Sequence, residues 1–183
     1  ICCGYVGGVK ELDAGEETVL KEVGESKANL LRELLPDIPE KEHVIVWVRF
    51  KHDLEKVKRI CEELGYTYTW FDGSVSATER VRRIEDFQAG KYKVFIGVLQ
   101  TGGHGITLTR ASYVIYYSQD YSIERRMQSE DRAHRIGQDR NVVYIDLVAR
   151  GTIEESILKC LKQKHKAAEY IVQNPEDFLG GNL

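Results

Sequence analysis

The sequence lacks the features that mark membrane-spanning, secreted and metal-binding proteins. No uninterrupted apolar run approaches the roughly 20 residues that cross a bilayer, and no signal peptide is visible. The four cysteines show no paired spacing of the kind that binds zinc, and the adjacent Cys2 and Cys3 are poor disulfide partners. We therefore expect four reduced thiols, no bound metal and a cytoplasmic protein.

Prolines are few and low-complexity tracts are absent, as in an ordinary globular chain of one domain. The chain begins with Ile1 and its only methionine is Met127, so we expect it to be a segment of a longer polypeptide. Its net charge of −3 is uneven, because residues 1–42 hold 5 Lys/Arg against 10 Asp/Glu and the remainder holds 21 against 19. A nucleic-acid partner is therefore compatible with the charge, provided that its contact surface is local.

Five apolar or β-rich runs alternate with amphipathic stretches along most of the chain. The predicted strands are 43–48, 66–71, 92–99, 112–118 and 141–149, and the predicted helices are 27–35, 52–65, 76–90, 122–135 and 153–173. This alternation predicts a single α/β domain with an open, mostly parallel sheet and helices on both faces. We assign residues 27–173 to this domain, 1–26 to an irregular lead-in and 174–183 to a C-terminal tail.

The glycine-rich turn "GVLQTGGHGIT" has parts of two phosphate-binding loops but completes neither. A P-loop that begins at Gly97 needs Lys and Ser or Thr after Gly102, where the chain has Gly103 and His104. A dinucleotide fingerprint lacks its third glycine, because Leu108 stands in that position. The turn can present backbone N–H groups to a phosphate. A tight turn that needs glycines for geometry alone is the other interpretation.

The stretch "QSEDRAHRIGQ" at residues 128–138 places three long polar side chains on the predicted helix 122–135. Gln128, Arg132 and Arg135 fall at i, i+4 and i+7, within a roughly 60° arc. One arginine side chain can bind two phosphate oxygens at once, and it stays charged. This face therefore suits a phosphate chain at the carboxyl end of the sheet. A solvated face, with neighbouring acidic side chains pairing the arginines, explains the spacing equally well.

Four segments occur in a characteristic order: "HVIVWVRFKHDLEKV", "FDGSVSATERVRRIEDFQ", "TGGHGITLTRASYVIYY" and "QSEDRAHRIGQ". They resemble the fourth motif, the segment after it, the fifth motif and the sixth motif of the Swi/Snf-type DNA translocases of helicase superfamily 2. The resemblance covers about residues 27–160 and implies the second of two RecA-like lobes. It also implies an ATP-dependent helicase or translocase in which the missing N-terminal lobe holds most of the ATP and Mg²⁺. The isolated chain is then expected to be inactive as an ATPase.

The resemblance implies roles in ATP hydrolysis for residues near the sixth and fifth motifs. Arg135 would be the arginine finger that reaches the γ-phosphate, Arg132 a second phosphate-contacting arginine, and Gln128 a side chain that positions both. Gly105 and Thr107 would approach the sugar side of the nucleotide. No residue of the chain is expected to bind a metal.

The resemblance also implies a track for the nucleic-acid backbone. Its residues follow the first three predicted strands: Arg49, Phe50, Lys51, Gly73, Ser74, Gln100, Thr101 and Gly102. Contacts of this kind bind phosphates without reading bases, as a motor that steps along any sequence requires. Double-stranded DNA is the expected partner, with RNA as the open alternative, and the isolated chain is expected to be monomeric.

The chain departs from the family at several positions. Ser118 stands where Asp is usual, Tyr121-Ser122-Ile123 where Trp-Asn-Pro is usual, and Thr107 where Asn is common. These departures suggest a divergent bacterial or phage-like branch, and hence the cytoplasm of a bacterial or phage-infected cell. Two other functions stay open: a stand-alone nucleic-acid-binding or regulatory module with a RecA-like fold, and a self-contained dinucleotide-dependent enzyme.

Overall fold

The computed structural model describes residues 5–12, 15–22, 24–101, 106–135, 138 and 140–173, with side chains from residue 24 onward except 101, 168, 169 and 171–173. The strands are β1 (Tyr5–Leu12), β2 (Gly15–Glu22), β3 (His43–Val48), β4 (Tyr68–Phe71), β5 (Val94–Val98), β6 (Ala111–Tyr116) and β7 (Val143–Asp146). The helices are α1 (Ser26–Asp37), α2 (Lys51–Glu63), α3 (Ala77–Gln88), α4 (Ile123–Ala133) and α5 (Ile153–Gln173), and a 3₁₀ turn spans Leu99–Thr101.

Five strands form one parallel sheet in the order β4-β5-β3-β6-β7. Every residue of the neighbouring strands β3 and β5 is buried, as expected for apolar runs covered on both faces. The predicted α/β architecture with an open parallel sheet is therefore confirmed.

The two faces of this sheet carry separate apolar clusters. On one face, α1 and α2 pack through Leu31, Leu35 and Leu54 against alternate residues of β3 and β5. On the other face, Phe87 of α3 and Ala133 of α4 pack with the opposite set of strand residues. Because successive strand residues point to opposite faces, each strand contributes to both clusters.

Local sequence signals set several helix ends. Gly65 follows α2 with φ of 70°, a left-handed conformation that glycine adopts without strain. Ser76 caps α3, since its Oγ accepts a hydrogen bond from the Glu79 backbone N–H at 3.3 Å. α1 includes Pro36, where the sequence pattern placed its end, because proline falls in the last turn of the helix.

The lead-in differs from its expected irregular structure. β1 and β2 form an antiparallel hairpin, with pairs from Tyr5 and Glu22 to Leu12 and Gly15. The glycines and acidic residues of this segment do not suggest strands, yet it forms two strands of eight residues whose backbone N–H and C=O groups bond to each other. These residues are therefore extended, and more regular than the lead-in that the composition predicted.

A close contact between two neighbouring strands fixes the packing at the centre of the sheet. Trp47 of β3 pairs with Gly97 of β5, and the indole of Trp47 is fully buried. A Cβ atom at Gly97 would lie 2.3 Å from Trp47 Cζ3, far inside van der Waals contact. The absence of a side chain at Gly97 is therefore what allows the indole to lie against β5.

Substitution of Gly97 tests this contact. We expect Gly97→Ala to lower the free energy of unfolding by about 1–3 kcal/mol or more, because the added methyl group must displace the indole. Gly24→Ala is the matched control, since a Cβ there meets no atom within 4 Å. Urea denaturation of both variants measures the difference, and Trp47→Leu in the Gly97→Ala background should restore part of the loss. Equal effects of the two glycine substitutions would contradict the interpretation.

A buried group of charges joins α1, α2 and α5. Lys27 Nζ lies 2.6 Å from Glu154 Oε1, and both side chains are buried. Asp53, in the first turn of α2, is fully buried, and neither of its carboxylate oxygens accepts a hydrogen bond. Burial raises the pKa of Asp53 to about 6, against smaller opposing effects of the nearby Ser118 hydroxyl and Lys27 ammonium. The Ser118 hydroxyl lowers the pKa of Asp53 from nearby, although its position does not meet the geometry of a hydrogen bond.

The raised pKa of Asp53 predicts a pH dependence of stability. Since the folded chain binds the Asp53 proton more tightly than the unfolded chain, its contribution to stability falls as pH rises from about 4 to 6. We expect a loss of about 2–3 kcal/mol over this window that Asp53→Asn does not show. Urea denaturation between pH 4 and pH 7 measures this, with the exposed Asp37→Asn as control. Parallel curves for the wild-type chain and Asp53→Asn would refute the assignment.

Candidate functional site

Most of the residues expected to contact nucleic acid lie along one edge of the sheet. β4, β5 and β3 are neighbours, and residues 72–74, 99–101 and 49–51 follow their carboxyl ends. We call these three segments the carboxyl edge. It brings together seven of the predicted track residues: Arg49, Phe50, Lys51, Gly73, Ser74, Gln100 and Thr101. Gly102 lies outside the described residues.

Arg49, Phe50 and His52 form a stack at the start of α2. The Phe50 and His52 rings are parallel within 9°, with centroids 5.3 Å apart, and the Arg49 guanidinium lies 5.1 Å from the Phe50 ring. The Arg49 backbone N–H donates to Ser118 Oγ at 2.7 Å, which ties this segment to the residues after β6. Arg49 Nε is buried and has no hydrogen-bond partner. Lys51 is exposed beside this stack and presents its ammonium group to solvent.

The turn after β4 is organised by Asp72. Its Oδ1 accepts hydrogen bonds from the Ser74 backbone N–H at 3.0 Å and from the Ser74 hydroxyl at 2.5 Å. These bonds, together with the nearby charge of Lys51, hold the pKa of Asp72 below its ordinary value. Both the backbone N–H and the hydroxyl hydrogen of Ser74 are thus already donated to Asp72, which fixes the shape of this turn.

α4 leads away from the carboxyl edge. Its N-cap, Ser122, lies six residues after the end of β6, and its side chain accepts a hydrogen bond from the Arg125 backbone N–H. At the other end of α4, the Leu108 backbone N–H donates to the Arg132 carbonyl at 2.9 Å, and Leu108 precedes the first residue of β6 by three positions. The Arg132 backbone therefore lies near the amino end of β6, whereas its side chain reaches a cavity that Trp47 and Leu99 line near the carboxyl ends of β3 and β5. The expected position of the arginines at the carboxyl end of the sheet stays a prediction.

The predicted helical face also ends early. α4 stops at Ala133, and His134 has φ of −99° and ψ of 80°, so Arg135 does not occupy the helical i+7 position. The two arginines nevertheless meet the same short segment. Arg132 Nη1 donates to the Ile106 carbonyl at 3.5 Å, and Arg135 Nη1 donates to Thr107 Oγ1 at 3.0 Å. We call Arg132 and Arg135 the arginine pair.

The arginine pair places two positive charges close together, one of them largely shielded from water. Arg132 is 6% exposed, whereas Arg135 is exposed. Burial lowers the pKa of Arg132, the charge of Arg135 lowers it further, and Asp131 opposes both effects. The two guanidinium groups are therefore close enough to repel each other, and an anion placed between them would relieve this repulsion.

Gln128 and Arg125 lie on α4 next to the buried arginine. With Trp47, Leu99 and Arg132, among others, they line a cavity of about 10 Å³, about the size that one water molecule occupies. Arg125 also forms an ion pair with Asp120 at 2.6 Å. Gln128 thus lies close to Arg132, as the helical spacing predicts, and its side chain is exposed.

Gln138 is a positioning residue that the sequence pattern did not single out for a role. Its Nε2 donates to the carbonyls of Thr109 at 2.8 Å, Ala111 at 2.9 Å and Ala133 at 3.3 Å. This amide joins the end of α4 to the turn before β6 and so fixes the chain that carries Arg135. The glycine-glutamine pair that ends the sixth-motif segment was the available signal.

Arg126, also on α4, forms ion pairs with two acidic side chains. Its guanidinium lies 2.5 Å from Glu130 and 2.5 Å from Asp146, and 3.4 Å from the centroid of the Tyr116 ring. These contacts attach α4 to β6 and β7, so Arg126 has a structural role. Acidic side chains thus pair both Arg125, which is exposed, and Arg126, which is mostly buried.

Two further observations concern cofactors and membranes. Among the residues that the structure describes, no three His, Cys, Asp or Glu side chains cluster in a way that would hold a metal ion. In the same part of the chain, no helix has the length and apolar character required to span a bilayer. Gly105, expected near the nucleotide, lies outside the described residues.

Comparison with known families gives one match over most of the domain. The family model of the helicase conserved C-terminal domain matches residues 26–137. This range includes the carboxyl edge, α4 and the arginine pair.

Two similar proteins are chromatin factors. A Xenopus tropicalis protein, SWI/SNF-related matrix-associated actin-dependent regulator of chromatin subfamily A containing DEAD/H box 1, is 36% identical over 151 residues, which are 81% of this chain and 15% of that protein. The ISWI chromatin-remodeling complex ATPase ISW1 of Saccharomyces cerevisiae is 33% identical over 151 residues, which are 81% of this chain and 13% of that protein. The chain thus spans less than a fifth of the length of either relative.

A solved structure has the same fold. The crystal structure of the C-terminal part of the Fun30 ATPase domain superposes with a TM-score of 0.70 at 30% identity, over 74% of this chain and 44% of that one. The two relatives are eukaryotic, so the expected bacterial or phage-like branch, and the cell type inferred from it, find no support. The chain belongs to the helicase conserved C-terminal domain family, in its Swi/Snf-type branch, and has the RecA-like fold of that family.

Proposed function

We propose that this chain is the second motor lobe of an ATP-dependent DNA translocase and supplies the arginine finger for ATP hydrolysis. The observation that carries the proposal is the arginine pair, in which one buried and one exposed guanidinium meet residues 106–107. Two mutually repelling guanidinium groups match the charge of a phosphate chain, whose negative charge they would stabilise during transfer.

The chain is suited to complete a nucleotide site and lacks the means to build one. Its glycine-rich turn has Gly103 and His104 where a P-loop has the lysine that neutralises phosphates and the hydroxyl that binds magnesium. A preceding lobe of the same polypeptide would therefore hold ATP and Mg²⁺. In this arrangement Arg135 reaches the γ-phosphate, Arg132 contacts the phosphate chain from its buried position, and Gln128 lies beside them.

Thr107 has a second part besides the one that the resemblance implied. Its hydroxyl accepts a hydrogen bond from Arg135, so it holds the finger in place before a nucleotide arrives. A neutral hydroxyl is a weaker partner for arginine than a phosphate, because hydrogen bonds between two charged groups are the stronger ones. Arg135 can therefore exchange Thr107 for a phosphate oxygen.

We propose that the carboxyl edge contacts the backbone of double-stranded DNA. Arg49 and Lys51 provide cationic groups, Phe50 and His52 form a stacked aromatic surface beside Arg49, and Gly73 and Ser74 lie in the turn after β4. Such groups neutralise and position phosphates without distinguishing bases. The three segments follow adjacent strands, so a continuous backbone can cross them in one path.

Substitution of the finger in the complete protein tests the assignment. We expect Arg135→Ala to lower kcat for DNA-stimulated ATP hydrolysis by roughly 10³-fold or more, with DNA affinity unchanged, since the lost interaction acts on the transferring phosphate. Arg82→Ala is the control, because Arg82 is an exposed arginine on α3. Steady-state kinetics and fluorescence anisotropy measure the two quantities. Equal turnover in the two variants would show that Arg135 is not the finger.

The isolated chain provides a second test. We expect the purified 183-residue chain to release no phosphate from ATP in the presence of Mg²⁺ and duplex DNA, because it lacks the residues that hold the nucleotide and the metal. The Arg135→Ala chain, prepared identically, sets the level of contaminating activity. Hydrolysis by the wild-type chain above that level would refute the requirement for a second lobe.

A further inference from the structure

A basic groove runs along α5, and none of its lining residues belongs to the arginine pair or to the carboxyl edge. It has a volume of about 490 Å³ and lies between Val148, which follows β7, and the stretch of α5 from Glu155 to Lys166. We call it the α5 groove. Its size falls within the range of sites that take small ligands or short peptide segments.

Three lysines form one wall of the α5 groove. Lys159, Lys162 and Lys166 are at i, i+3 and i+7, so they follow one strip of the helix over about 10 Å. All three are exposed, and none forms an ion pair or hydrogen bond with another described residue. Lys164, by contrast, is directed elsewhere and donates to the Tyr121 carbonyl. The strip therefore presents three available ammonium groups on the same side.

Besides the three lysines, the groove is lined by two apolar residues and by the polar Glu155 and Gln163. Val148 and Leu158 are half-buried and line it, and the methylene groups of the lysines add to this surface. Glu155, near the start of α5, is the acidic residue of the groove, so the positive charge increases toward Lys166. A fitting partner must supply negative charge opposite the lysines together with an apolar group for the space beside Val148.

We propose that the α5 groove binds an acidic peptide segment of a partner protein, in which carboxylate side chains alternate with apolar ones. In an extended peptide, side chains on the same side are about 6.6 Å apart. Successive lysines of the strip are about 4.5–6 Å apart along α5, so alternate peptide side chains can face successive lysines. The carboxylates pair with the lysines while the apolar side chains pack against Val148 and Leu158.

Duplex DNA matches the groove less well. Its phosphates lie on the outside of a wide rod, so they can touch the lysine ammonium groups but cannot fill the apolar space beside them. An acidic peptide uses both parts of the groove. The two partners therefore differ in their dependence on Val148.

The test uses the whole chain and a fluorescein-labelled twelve-residue peptide in which Glu or Asp alternates with Leu or Phe. Fluorescence anisotropy should show binding that is lost when Gln and Asn replace the acidic residues. We expect the triple substitution Lys159→Gln, Lys162→Gln and Lys166→Gln to weaken binding about tenfold, consistent with three exposed ion pairs. The charge-matched control replaces Lys41, Arg82 and Lys91, all exposed, with Gln and should have little effect.

Val148→Ser separates the peptide from DNA. This substitution should weaken the peptide severalfold and leave a labelled 20-base-pair duplex unaffected. Equal binding of acidic and neutral peptides, or equal losses in the triple variant and its control, would overturn the proposal. If the triple substitution weakens binding of the duplex but not of the peptide, the proposal is also overturned. The lysine strip would then be assigned to DNA. Circular dichroism of each variant verifies that the fold is retained.

Discussion

The contact between α4 and the segment before β6 determines the arrangement of the rest of the site. The Leu108 backbone N–H donates to the Arg132 carbonyl, and the Arg132 guanidinium returns to the Ile106 carbonyl. Because Arg132 is almost completely buried, its guanidinium needs such partners, and its place in the core fixes the end of α4. Gln138 then joins this end to the turn before β6, so the exposed Arg135 extends from a rigid base.

One stretch of chain connects the two proposed functions. It begins at Gln100 in the 3₁₀ turn of the carboxyl edge, where DNA is proposed to bind, and continues to Ile106 and Thr107, which contact the arginine pair. The proposed DNA site and the proposed ATP site are therefore only a few residues apart in the chain. Two ligands that both contact so short a stretch of sequence have a physical basis for coupling, which is part of the proposal.

The sequence determined the sheet more fully than the site. The apolar runs of β3 and β5 could belong only to strands buried on both faces, and the serine before α3 marked a helix start. Helical periodicity failed for Arg135, because α4 ends two residues earlier and only tertiary contacts bring this side chain to Thr107. The burial of Asp53 was equally hidden, since an acidic residue in the first turn of an amphipathic helix is typical of an exposed position.

The different burial of the two arginines distinguishes their roles. Arg132 is enclosed by α4 and residues 106–108, so moving its guanidinium would disrupt the packing that sets the end of the helix. Arg135 lies beyond the end of α4 and is exposed, and its guanidinium donates to the neutral Thr107 hydroxyl. A finger must reach a neighbouring lobe, and the exposed guanidinium of Arg135 is better placed for this than the buried one of Arg132. Arg132 provides the fixed positive charge near which the transferring phosphate would be bound.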